Sequence, residues 1–95
     1  MSRKIGLHDR VTKTDNFIES TVDDEVILMH LDEGNFSSLK STGLRIWTML
    51  DEPTSAAQIC ERMCDEFDVD EELCREQALE FLNSLNDRQF VSVID

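Results

Sequence analysis

The sequence predicts an α+β domain of winged-helix-like content, a three-stranded antiparallel sheet followed by three helices. Three observations carry this. Residues 17–39 hold three short runs rich in β-branched, aromatic and aliphatic residues, separated by turns of Asp, Glu, Gly and Asn. After Lys40 the apolar spacing changes from two to three and four. Helix-capping residues then stand ahead of each apolar stripe.

Residues 1–16 are polar and weakly patterned, and read as a weakly ordered arm or a loosely attached extra strand ahead of a domain at 17–95. Phe17–Val22 is the first strand, and Asp23-Asp24 supplies a turn. Glu25–Leu31 is a nearly continuous apolar run, read as a second strand with much of both faces covered. Asp32-Glu33-Gly34-Asn35 is a second turn, because Gly34 and Asn35 both accept positive φ. Phe36–Leu39 is a short third strand, with Phe36 and Ser38 on one face and Ser37 and Leu39 on the other.

Ser41 or Thr42 can cap the first helix, whose Leu44, Ile46, Trp47 and Leu50 mark a buried face. Gly43 in its first turn points to close packing. Pro53 ends it, and Ser55 with Gln58 three residues on forms a capping box. Ile59, Cys60, Met63, Cys64 and Phe67 make the second stripe. Asp70 caps the third helix, where Cys74, Ala78, Phe81, Leu82 and Leu85 share a face. Phe90–Ile94 reads as a terminal strand or extended tail.

The 95 residues suffice for one domain, and 21 Asp and Glu against 9 Lys and Arg give a net charge of −12. That surface repels nucleic acid and anionic lipid and favours basic partners. The third helix carries Asp70, Glu71, Glu72, Glu76, Glu80 and Asp87 against Arg75 alone, which disfavours DNA. No apolar run is long enough to span a membrane, and no signal peptide is evident, so a cytoplasmic protein is expected. An odd count of three cysteines is no disulfide framework.

No set of residues assembles catalysis or a metal site. Cys60 and Cys64 lie at i, i+4 on a buried stripe and read as core, with Cys74 on another helix. His30 has no nucleophile-like neighbour in sequence and reads as a strand histidine at a sheet edge, and His8 carries no signal. No phosphate-binding glycine loop is present. The expectation is a non-enzyme without cofactor or metal.

Two features can bind a peptide. One is the edge of the third strand, Asn35, Phe36, Ser37, Ser38 and Leu39, with unpaired backbone groups. The other is a flank of the third helix, either Leu79 with Arg75, Glu76 and Asn83, or Leu73 with Gln77 and Ser84. Whichever flank faces the strand edge completes a groove, and helical spacing leaves the choice open. An exposed edge can also pair with itself in a homodimer.

The stretch Gly34-Asn-Phe-Ser-Ser-Leu-Lys-Ser-Thr-Gly-Leu-Arg-Ile-Trp-Thr-Met-Leu resembles the PqqD family pattern, a Gly-x-aromatic-x-x-Leu strand leading into a helix that ends Ile-Trp-x-x-Leu. The strand ending Leu31-Asp32 and the Phe67-Asp-Val-Asp opening of the third helix fit it too, so the likeness spans about residues 17–91. The resemblance implies a RiPP recognition element. Such a non-catalytic adaptor binds the leader of a ribosomally made precursor by strand addition and presents it to a modifying enzyme. Phe36 and Leu39 match the family's aromatic and leucine; Arg75, Leu79 and Asn83 are its implied helix wall. Ser37-Ser38 is more polar than the pattern, and Lys40 stands where Asn is common. The competing reading is an adaptor that binds a basic protein through its acidic third helix.

Overall fold

The computed structural model describes residues 4–15, 17–34 and 36–94. Its elements run β1 (Arg10–Lys13), β2 (Phe17–Val22), β3 (Glu25–His30), β4 (Phe36–Lys40), α1 (Ser41–Met49), α2 (Ala56–Glu66), α3 (Glu71–Asp87) and β5 (Val91–Ile94). The expected meander is β2-β3-β4, antiparallel with β3 in the middle. A second sheet pairs β1 with β5, Arg10 opposite Ile94 and Lys13 opposite Val91.

The apolar run of β3 alternates in burial. Val26, Leu28 and His30 face the helices and are buried, while Met29 is exposed on the outer face. The expectation of two covered faces is therefore corrected: all the helices pack on one side, and the period-two pleat leaves the other to solvent. His30 is likewise not at an edge. It lies on the central strand, buried, and its Nδ1 accepts from the backbone N–H of Asp32 at 3.2 Å and Glu33 at 3.3 Å. The imidazole thus ties down the turn that leads into β4.

No loop separates β4 from α1. Ser41 takes φ 54° to turn the chain, and Lys40 occupies the cap position without a side-chain bond. Neither Ser41 nor Thr42 caps the helix, because no residue is left between strand and helix for that role. Ile46, Trp47, Met49 and Leu50 are buried, with Leu44 half-buried. Trp47 donates its Nε1–H to Glu19 on β2 at 2.8 Å and meets Phe17 edge-on. The Ser55–Gln58 capping box and the Asp70 cap, which accepts from Leu73 N–H, are both present. Phe67 ends α2 exposed rather than on the buried stripe.

Residues 4–15 contribute Ile5 and Val11 to the core. Val11 also exchanges backbone hydrogen bonds with Thr54, the residue that precedes the α2 cap. Around these lie Leu28, Ile59, Leu82, Phe90 and Val91, a core shared by both sheets and all three helices. Among the described residues no helix is long and apolar enough to cross a membrane.

Candidate functional site

Among the described residues β4 has a strand neighbour only on its β3 side, so the backbone groups of its other side are unpaired by any described strand. Register with β3 places Leu39 opposite Val26 and Ser37 opposite Leu28, both toward the helices; Phe36 and Ser38 face outward opposite Met29 and Ile27. Asn35 lies outside the described residues. Phe36, Ser37, Ser38 and Leu39 thus share one edge strand, Leu39 as a core anchor and the others accessible to different degrees.

Two contacts fix the flank of α3 that faces this strand. Arg88, the C-cap residue, donates from Nη1 to the Ser37 hydroxyl at 3.0 Å. Phe81 lies against Gly43 of α1, its Cε1 3.2 Å from where a Cβ would stand. That approach explains the glycine: a side chain there would press on the ring. Gln77, Phe81, Ser84 and Arg88, at steps of four, three and four, form the flank turned toward β4 and the start of α1.

The groove deepens beyond the C-terminal end of β4. A cleft of about 650 Å³ opens there between α1, α2 and α3. Ser41, Thr42 and Arg45 form one wall, Leu73 and Gln77 another, and Ile46, Met63 and Ala78 supply apolar surface. Arg45 is held by Glu66 of α2. Leu73 is half exposed at the rim.

Arg75, Leu79 and Asn83 lie on a different flank. Asn83 accepts the Ile5 N–H at 2.7 Å and donates to the Ile5 carbonyl, so the N-terminal segment occupies this side. Leu79 lines a shallow hollow with Lys4 and Ile5, and Arg75 pairs with Glu71 one turn back. Leu73 and Gln77 line the cleft beside the start of α1 instead, while Ser84 and Arg88 also border the hollow that holds Leu79 and Asn83. Gly43, whose missing side chain makes room for Phe81, is the trace of that contact in the sequence, though it names no flank of α3 by itself.

The thiols form a separate group between α2 and α3. Burial pushes the Cys60 thiol up to about 12, assisted by a hydrogen bond with Cys74 and by its charge. Cys64 is also raised, first by burial and then by Cys74. Raised thiols are poor nucleophiles. Among the described residues no three His, Cys, Asp or Glu are grouped to hold a metal ion.

A winged-helix-like α+β domain whose edge strand β4 runs beside a helix has the make-up of a PqqD-like RiPP recognition element. The chain belongs to the PqqD family, since the family model for coenzyme PQQ synthesis protein D matches residues 25–91. TbiB1, solved in complex with the TbiA(beta) leader peptide, matches at TM-score 0.76 and 30% identity, covering 84% of this chain and 93% of that one. A lasso peptide synthetase B1 complexed with its leader peptide matches at TM-score 0.76 and 16% identity, over 85% and 95% of the two chains, a likeness of fold. No curated protein matches significantly.

Proposed function

We propose that the chain is a non-catalytic adaptor that binds the leader of a ribosomally synthesised precursor peptide and presents it to a modifying enzyme. The leader adds as a strand to β4, using the backbone of residues 35–39, and its inward side chains lie against Gln77, Phe81, Ser84 and Arg88. A bulky apolar side chain near one end of the added strand enters the cleft beside Leu73. The observation that carries this reading is the unpaired β4 edge continuous with an apolar cleft. The family membership, and a relative solved with a leader peptide bound, support it.

Backbone pairing supplies affinity with little dependence on sequence, and the cleft supplies selectivity. Asn83 enters this reading as a support of the helix from behind, through its bonds with Ile5, with Leu79 beside it, while Arg75 pairs with Glu71 on its own helix. The test is a titration of the isotope-labelled chain with the precursor's leader peptide, followed by amide chemical shifts. Changes concentrated on residues 36–42 and the Leu73–Arg88 flank are expected. Changes confined to β2, or to the Leu79–Asn83 flank, would sink the proposal.

A further inference from the structure

The outer face of the β2-β3-β4 sheet carries a cross-strand row that the fold leaves uncovered. Ile18 stands opposite Met29, and Met29 opposite Phe36. Their exposures are 53%, 47% and 67%, and Leu31 beside them is 58% exposed. The neighbouring positions on this face are Ile27, flanked by Ser20 and Ser38, and then Val22, exposed at the far end. Side chains on adjacent strands at one register level lie within reach of each other, so the row is a contiguous apolar strip. Scattered apolar residues need no explanation, but a contiguous strip on a small domain marks a contact surface.

The strip has acidic ends. The β2–β3 turn holds Asp23 and Asp24, and the β3–β4 turn holds Asp32 and Glu33, all exposed. Lys40, at the far corner of the face, stands 3.9 Å from Glu25. This rim selects among occupants. A second copy would set acidic rim against acidic rim, between chains of charge −12 each. An anionic membrane is repelled in the same way. A protein surface with an apolar centre and a basic surround is complementary. Phe36 joins this face to the peptide edge: a strand added to β4 sends alternate side chains outward next to Phe36 and widens the strip.

Resting on the leader-binding reading, we propose that this outer face docks the peptide-modifying enzyme through an apolar patch ringed by Lys and Arg. The leader's outward side chains complete the surface, so the enzyme meets a fuller contact when peptide is present than when the edge is empty. Ile18 and Met29 lie on strands that do not form the peptide edge, which separates docking from capture.

The test uses two double variants, Ile18→Glu with Met29→Glu for the strip, and Asp24→Lys with Asp32→Lys for the rim. The rim residues are exposed turn positions, so that variant keeps the fold intact if the first does not. Each is measured against the purified enzyme that modifies the precursor, against that precursor's leader peptide, and alone by sedimentation. The expected result is about a tenfold or greater loss of enzyme affinity in both variants, with leader affinity within about twofold of wild type. Enzyme binding by the wild type should also weaken as salt is raised from about 50 to 500 mM. Enzyme affinity unchanged in both variants overturns the assignment. So does a wild-type dimer that Ile18→Glu with Met29→Glu dissociates, since a second copy would then own the face. Failure of the leader to bind the wild type is distinct: it removes the leader-binding reading, and the enzyme's claim to this face goes with it.

Discussion

His30 illustrates how one buried side chain shapes a surface several residues away. Its Nδ1 receives two backbone N–H groups of the β3–β4 turn, so the ring carries its proton on Nε2, and the ring centroid lies 6.1 Å from that of Phe90. Leucine is close to it in size but accepts no hydrogen bond. His30→Leu should cost about 1–3 kcal/mol in urea unfolding, and amide exchange of Asp32 and Glu33 should speed up. Unchanged exchange there would show that the turn holds without the imidazole. Cys60 gives a pH-dependent case. The folded state keeps its thiol proton up to about 12, whereas the unfolded chain releases it near 8.5. The folded state therefore binds the proton more tightly, and the stability is intact below about pH 8.5 and declines as pH rises toward 12. Cys60→Ala should flatten the stability profile over that window, at the cost of a lower plateau from the lost core contact. An unchanged slope would assign the alkaline loss to other groups.

At the scale of elements, the two flanks of α3 have separate contacts. Leu73 reaches the cleft rim and is 51% exposed, so its truncation removes little from the core. If the leader binds as proposed, Leu73→Asp should weaken leader binding by about tenfold while the unfolding midpoint barely moves, because the change puts a charge on the apolar wall of the cleft. Equal losses in binding and stability would instead make Leu73 a core residue. Local chemistry wrote its signs plainly in the chain: the Ser55–Gln58 box and the Asp70 cap stand where their residues indicate, and the strand read at Phe36–Leu39 runs one residue further, to Lys40. The flank of α3 was not legible, since Leu73 and Leu79 both depart from the buried stripe and periodicity has no reference to the sheet. That choice is made by tertiary contacts, Arg88 with Ser37 and Phe81 with Gly43. The burial of His30 was hidden too, because an acceptor role for Nδ1 depends on where the following turn folds back.

Over the whole molecule, the segment before β2 is part of the packing. Ile5 and Val11 are buried, and β1 pairs with β5 from the opposite end of the sequence. Polar residues surround these two apolar positions, so no periodic pattern announces a strand of four residues whose partner lies some 80 positions away. Deleting residues 1–15 should lower stability by about 3–6 kcal/mol, from two buried aliphatic side chains plus the lost β1 pairing. Urea unfolding of the shortened chain checks this, and an unchanged midpoint would return the segment to the status of a dispensable arm.

The β1–β5 pairing also orders events in time. The β2-β3-β4 meander is joined by short turns, so its contacts close small loops, whereas Val11 meets Val93 only after nearly the entire chain has been brought round. Local contacts form early and distant ones late. The sheet that bears the open β4 edge is therefore positioned to assemble before the clasp that seals the core beneath it, and slowing the clasp would lengthen the interval in which a native-like edge stands on an unfinished molecule.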